Sequence, residues 1–156
     1  MGAAEAKKLV KTYFKRIQTG DPKLPEMLAD DVTWWVPPGS DMAGTYEGKA
    51  KVLELMGSGV GLYDPSVPMK IDVEELVAEG NTVCVQFVLT GRSAKGRDYR
   101  NHYHFVFKLK RGKIWRVKEY VDTKYAHDLL FALRTPGSIS PRARRRGRRT
   151  SPCPRA

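Results

Sequence analysis

Residues 99–122 read YRNHYHFVFKLKRGKIWRVKEYVD, and this stretch decides the fold. Its first half alternates strictly. Tyr99, Asn101, Tyr103, Phe105, Phe107 and Leu109 fall on one face, and Arg100, His102, His104 and Lys108 fall with Val106 on the other. Period two is the signature of a half-buried strand. Lys110-Arg111-Gly112 turns the chain, and Trp115, Val117, Glu119 and Val121 continue the alternation in the second half. The two halves therefore make an antiparallel hairpin with one apolar inner face.

Parity fixes the expected register. A two-residue turn would pair odd positions with even ones and expose one strand's apolar face to water. A three-residue loop at 110–112, with Gly112 in the left-handed position, restores the match. Phe107 then faces Trp115, Phe105 faces Val117, Tyr103 faces Glu119 and Asn101 faces Val121, with Phe105, Phe107, Trp115 and Val117 buried. Glu119 becomes a carboxylate on an apolar face beside a phenol. Burial raises its pKa, a donor to its charged form lowers it, and such a group can move protons. The competing reading is that Glu119 only satisfies Tyr103 or Asn101 in a structural polar cluster.

Working upstream, Thr82–Thr90 is a nearly continuous apolar run, as in a central strand, and Val67, Met69, Ile71 and Val73 alternate as in a half-buried one. Gly80-Asn81 joins the two. Residues 4–18 repeat Leu9, Val10, Tyr13, Phe14 and Ile17 at helical spacing, with lysines on the polar side. Gly20-Asp21-Pro22 ends that helix and opens a shorter one through Leu28. Val32–Val36 is extended and stops at Pro37-Pro38-Gly39, a loop follows to Gly48, and Lys49–Met56 is helical until Gly57, Gly59 and Gly61. Lys124–Leu133 forms a short closing helix. Helices followed by antiparallel strands give an α+β layout: a bent sheet wrapped by N-terminal helices, cone-shaped, with an apolar pocket between the layers.

Other polar groups carry less. His102 and His104 lie on the outer face, His127 sits among charges, and Trp34 and Trp35 point to opposite faces, so one lines the interior and the other is free to meet a partner chain. Gly57–Gly61 follows a helix rather than a strand and lacks the context of a phosphate loop. Asp41 and Asp122 are loop acids.

The net charge of +11 is unevenly spread. Residues 134–156 hold eight arginines and no acid, while the rest balances 20 basic against 17 acidic residues, a net +3. We therefore divide the chain into a domain, 1–133, and an arginine-rich tail, 134–156, whose Pro/Ser/Arg composition predicts disorder. Arginine clusters can meet nucleic-acid phosphates or another anionic surface, but the tail has no aromatics for stacking and the domain no basic stripe, so we take it as a solvated extension. Two distant cysteines, Cys84 and Cys153, argue for reduced thiols in the cytoplasm rather than a disulfide framework. No apolar run approaches the length of a membrane span, no signal peptide is read, and no cluster has metal-ligand spacing. No cofactor is implied.

Three stretches, GDPKLPEMLADDVTWWVPPG (20–39), AGTYEGKAKV (43–52) and GRDYRNHYHFVFKLKRGKIWRVKEYVDT (96–123), resemble the SnoaL-like branch of the nuclear transport factor 2-like superfamily. The resemblance, with the helix order, covers about residues 5–131. It implies a bent sheet around a deep, mainly apolar pocket, a homodimer, and a range of activities that includes ketosteroid isomerases, limonene-epoxide hydrolases, polyketide cyclases, dehydratases and non-catalytic binding domains. Tyr13, before Gly20-Asp21, matches the helix tyrosine of the isomerases. Tyr103, two residues before Phe105, stands where they have a second oxyanion donor, and Val36 replaces their proton-shuttling base. Against the epoxide hydrolases, their Arg-x-Asp pair falls on about Gln86 and Val88, and their last-strand acid on Glu119. The expected site therefore has Glu119, Tyr103 and Tyr13 as acid/base and donor groups. Asn101, Gln86, Trp34, Val36, Val88 and Val117 would touch a small apolar ligand. Two functions follow: an isomerase, cyclase or dehydratase acting on a carbonyl-containing, polyketide- or terpenoid-like compound, with epoxide-hydrolase-like chemistry as a variant, or a binding scaffold that keeps the pocket without the chemistry.

Overall fold

A computed structural model describes residues 1–133; the arginine-rich segment expected to be disordered, 134–156, lies outside the described residues. The element order is α1 (Ala3–Thr19), a 3-10 turn (Leu24–Met27), β1 (Leu28–Val36), β2 (Gly44–Glu47), α2 (Lys49–Val60), β3 (Lys70–Glu79), β4 (Thr82–Arg92), β5 (Asp98–Lys110), β6 (Lys113–Val121) and α3 (Thr123–Ala126), which runs on as a π-helical turn over His127–Phe131. The six strands form one curled, unclosed sheet in the order β2-β1-β6-β5-β4-β3. All neighbours are antiparallel except β1 and β6, which run parallel. The sheet is therefore mixed.

The inner face follows the alternation read from the sequence. Val83, Val85, Phe87, Phe105, Phe107 and Val117 are buried there. Helix α1 lays its apolar stripe across them: Tyr13 meets Phe107 edge-on at 5.4 Å between ring centroids, and Phe14 meets Phe87 at 4.9 Å. Gly20 takes a left-handed φ of 62°, and its N–H returns to carbonyls of the last turn, the C-cap that glycine forms without a Cβ penalty. The Ile71 N–H donates to Gln18 Oε1 at 3.2 Å, tying that helix to the edge strand β3.

The hairpin register differs from expectation by two residues. The turn is a two-residue one, with Lys110 paired to Lys113 and both Arg111 (φ 51°) and Gly112 (φ 73°) at positive φ, as a type I′ turn requires. Parity is restored by a bulge on β6: Leu109 pairs with Ile114, but Lys108 pairs with Arg116, so one extra residue is absorbed. Phe107 consequently faces Val117, Phe105 faces Glu119, and Tyr103 faces Val121. Ile114 takes the buried place assigned to Trp115. Trp115 is only half-buried: its indole N–H donates to Asp31 Oδ2 at 3.0 Å, and Arg116 and Lys110 stack on the ring at 4.0 and 4.7 Å.

Three other expectations change. Residues 44–47 form an edge strand rather than loop, pairing Gly44–Glu47 with Val36–Thr33. Helix α2 continues through Gly57 and Gly59; each costs about 1 kcal/mol relative to alanine, but buried Val52 and Leu55 hold the helix in place. On β3 a bulge between Val73 and Glu75 switches the inner positions from Ile71 to Leu76 and Ala78 and leaves Val73 40% exposed. The sequence alternation at Val73 therefore does not extend the core.

Candidate functional site

Between α1, α2, the closing α3 segment and the inner face of the sheet lies a cavity of about 600 Å3, within the range of small-molecule sites. Its walls are apolar, built from Phe14, Ile17, Leu53, Met56, Leu62, Met69, Phe87, Leu89, Phe105, Leu130 and Phe131 among others. Polar groups reach it at few points: Tyr13, Trp34, Tyr63, Tyr103 and Glu119 within, and Arg16, Asp21 and Ser40. Arg16 and Asp21 pair with each other at 3.3 Å.

Glu119 is the acid of the site. It lies on β6 beside β1, and the Trp34 indole N–H donates to its Oε2 at 3.0 Å. The side chain is half-buried, since the part that remains accessible faces the cavity it lines. Burial pushes its pKa up from 4.5 to about 7, against the lowering effect of the Trp34 hydrogen bond. A carboxyl poised there can both take and return a proton near neutral pH.

The phenols complement it. Tyr13 is fully buried. Its hydroxyl makes no hydrogen bond among the described residues and opens to the cavity that Tyr13 lines. Burial first, and the charge of Glu119 second, raise its pKa well above the ordinary value. Tyr103 is raised for the same leading reason, with smaller contributions from Tyr63, Tyr99 and Glu119. Tyr63 and Tyr99 are raised by burial as well. These phenols stay protonated across the physiological range, so they act as hydrogen-bond donors rather than bases.

Of the residues expected at the site, Tyr13, Trp34, Val36, Tyr103 and Glu119 line one cavity. The other four do not. Gln86 pairs with His104 and is exposed on the opposite face of β4. Val88 has the same parity as Gln86 and is buried outside the aromatic core. The resemblance to the epoxide hydrolases put both at the site, whereas strand parity gives the inner face to Val85, Phe87 and Leu89. Val117 is core, packed beneath the site between Phe107 and Trp34 in the register. Asn101 is buried, and its side chain is spent on Tyr99 and on two backbone groups. Nor is Glu119 bonded to Tyr103: the phenol's partner is Tyr99, at 2.8 Å between oxygens.

The sequence reading missed one residue of the cavity wall, Tyr63, and one buried behind it, Tyr99, which bonds Tyr103. Tyr63 follows the glycine-rich end of α2, where no periodicity assigns a direction. Tyr99 shares the parity of Tyr103, a signal that could have found it. Outside the cavity, His127 Nδ1 lies 2.9 Å from Asp41 Oδ2, joining the closing segment to the Pro37–Ala43 loop. The side chains of Lys95 and Arg97 donate to the terminal carbonyls of the same segment at Asp128, Phe131 and Ala132. Among the described residues no group of His, Cys, Asp and Glu could hold a metal ion, and no helix is long and apolar enough to cross a membrane.

Known structures share this architecture. An NTF2-like protein from Burkholderia xenovorans is 27% identical, with a TM-score of 0.69 over 83% of this chain and 98% of its own. TerC, co-crystallised with polyporic acid, is 19% identical, with a TM-score of 0.72 over 82% and 99%. A protein from Jannaschia sp. described as a SnoaL-like polyketide cyclase is 14% identical, with a TM-score of 0.72 over 85% and 95%. No curated protein matches the sequence. The SnoaL-like domain family matches residues 10–117, which takes in the second half of α1, the first five strands, α2 and the first half of β6, and stops two residues before Glu119. The chain belongs to the SnoaL-like family, within the NTF2-like superfamily.

Proposed function

We propose that the protein binds a small apolar carbonyl compound in this cavity and catalyses proton transfer on it, as an isomerase, cyclase or dehydratase. The observation that carries this is Glu119: a carboxyl held up at about 7 in an apolar cavity, with protonated phenols lining the same space. Ionised Glu119 removes a proton from the carbon next to the carbonyl. The C–H electron pair moves into the new C=C bond, and the carbonyl π pair moves to oxygen. A phenol O–H donor holds that oxygen while the charge develops. Glu119, now protonated, returns the proton to the same carbon or to a conjugated one. The polyketide cyclase and TerC descriptions among proteins of the same fold favour an unsaturated or aromatic polyketide-like ligand.

The test is deuterium incorporation. A panel of aryl and cyclic ketones is incubated with the protein in heavy water and followed by mass spectrometry. Exchange at the carbon next to the carbonyl should exceed background, and Glu119→Gln should lower it roughly 100-fold or more while folding holds. Ketones that bind without exchanging would instead support the second reading, a binding scaffold. The Trp34–Glu119 bond favours that second reading, because it satisfies one carboxylate oxygen without any ligand.

A further inference from the structure

The walls of the cavity differ in how they are held. The sheet side is tied by strand pairing, and α1 and α2 by residues buried in the core. Thr123–Phe131, which lays Ala126, Leu130 and Phe131 along the cavity, is held otherwise. Among the described residues no backbone group from Lys124 to Ala132 pairs with the sheet; the Ala126 and Ala132 N–H groups return to the nearby carbonyls of Asp122 and His127. Leu130 is the segment's one buried residue. The carbonyls at its C-terminal end have no partners further along the helix, and two side chains fill them. Lys95 donates to Phe131 and, at 3.2 Å, to Ala132; Arg97 donates to Asp128 and, at 3.3 Å, to Ala132. A second tie is His127 Nδ1, 2.9 Å from Asp41 Oδ2. Both ties end on fixed posts. Ser93 is 1% exposed, and its turn is closed by the Ser93 N–H to Arg97 and the Ala94 N–H to Leu62, both at 2.8 Å. The Asp41 loop is closed by the Ser40 N–H to Pro37 and the Ala43 N–H to Ser40, at 3.0 and 3.1 Å. Ser40 and Met42, on either side of Asp41, line the cavity, as does Ala126 beside His127. The seam between His127 and Asp41 is therefore a rim of the cavity.

We propose that Thr123–Phe131 is the gate through which a ligand enters and leaves the cavity, swinging at Asp122 on its junction with β6, with the His127–Asp41 pair as latch and Lys95 and Arg97 as clamp. The hinge is pinned: the Asp122 carbonyl accepts from buried Asn101 at 3.1 Å, and the Asp122 carboxylate caps the Tyr125 N–H at 2.9 Å. Beyond it the Lys124–Asp128 pair, at 2.6 Å, lies wholly within the segment, so it stiffens the gate without tying it shut. A wall closed by side-chain ties at the surface, rather than by strand pairing and core burial, opens at small cost compared with unfolding. Lids of this kind set ligand entry and release. The gate goes beyond the carbonyl chemistry, since it serves a ketone and any other small apolar ligand alike.

The test is stopped-flow binding of prodan, a neutral fluorescent naphthyl ketone, paired with hydrogen exchange of the ligand-free protein read by mass spectrometry. Latch and clamp are made in the closed gate whether or not a ligand is inside, so removing either raises the open population of both states and leaves Kd within about twofold. Asp41→Ala and Lys95→Met should each speed prodan association and release together by roughly three- to tenfold, as the loss of one or two hydrogen bonds supports. Amides of 124–132 should exchange faster by the same factor, with those of β5 and β6 unchanged. Lys124→Met, which breaks only the internal pair, should change none of these. Prodan rates that ignore Asp41→Ala and Lys95→Met, or that move no more than with Lys124→Met, overturn the gate and leave the ligand cavity standing. A shift in Kd with association unchanged also overturns it, because Asp41 or Lys95 would then act on the ligand itself. So do segment amides that exchange as slowly as those of β5, because the segment would then open only with the whole fold. Failure of prodan to bind overturns the small-ligand reading of the cavity and the gate with it.

Discussion

Trp34 and Glu119 stand on the two parallel neighbours of the sheet, and the indole N–H of the first donates to the carboxylate of the second at 3.0 Å. The bond lowers the pKa of Glu119 against the burial that raises it. Trp34 also packs edge-on against Phe105 at 5.4 Å, and Phe105 faces Glu119 in the register. One side chain therefore walls the acid and supplies its donor. In Trp34→Phe, the Glu119 titration followed by carboxyl carbon NMR should move to higher pH, because the ionised form loses its donor.

The same raised pKa makes stability depend on pH. Folded Glu119 titrates at about 7 and the unfolded residue near the ordinary 4.5. Between these values the folded state holds the extra proton, so unfolding releases it and stability falls as pH rises. The contribution is full below about 4.5 and gone above about 7. Its size is on the order of 2 to 3 kcal/mol. Urea denaturation at pH 5 and pH 8 should show the difference, and Glu119→Gln should remove it. A native profile that rises across this window would contradict the placement of Glu119.

The hairpin turn offers a prediction of opposite sign. Arg111 holds a φ of 51° in a turn whose two central residues both need positive φ. Asparagine and glycine adopt that conformation at less cost than arginine. Arg111→Asn should therefore stabilise the protein by about 0.5–1 kcal/mol, read as a higher urea midpoint at unchanged slope. Gly112→Ala, at φ 73°, should destabilise it by a similar amount.

This turn also shows where the sequence was legible and where it was not. Alternation in 99–109 and 113–121 gave both strands and their inner faces, because burial of one face enforces period two. The register was not legible, since two devices satisfy parity equally: a three-residue loop, or a two-residue turn with a bulge. Trp115 settles it, because it gains an indole bond to Asp31 and two stacked cations by leaving the core. The cavity wall was legible where a residue's direction follows from its own element, as for Tyr13, Trp34, Tyr103 and Glu119. It failed for Gln86 and Val88, which came from the family resemblance rather than from the parity of β4.

A second copy of the chain is expected on the outer sheet face. Trp35 packs at a tilt against Tyr120, 5.4 Å between ring centroids, His104 adjoins that ring at 6.3 Å, and Tyr120 is 43% exposed. Aromatic side chains of this kind anchor interfaces. Light scattering coupled to size-exclusion chromatography should give twice the chain mass, and Trp35→Glu should give the monomer with the fold retained. A native monomer at tens of micromolar would refute the expectation.

The last prediction separates what Glu119 and Tyr103 do alone from what they do through a ligand. Tyr103 faces Val121, and Glu119 faces Phe105, so the two are diagonal neighbours, with backbones about 7–8 Å apart rather than side chains in direct opposition. Neither is bonded to the other: Glu119 holds Trp34, and Tyr103 holds Tyr99. In the empty protein the stability changes of Glu119→Gln and Tyr103→Phe should therefore add within about 0.5 kcal/mol. Turnover is a different matter. If Glu119 takes a proton from the carbon next to a carbonyl whose oxygen Tyr103 holds, both residues act on one developing enolate. Removing the base leaves little charge for the donor to stabilise, so the double variant should lose far less than the product of the two single losses. The check is a double-mutant cycle run twice, once on denaturation midpoints and once on deuterium exchange into a bound ketone. Additivity in both would mean that the two residues share a cavity but not a reaction. Coupling in stability without a ligand would mean a direct contact that the hairpin register does not provide.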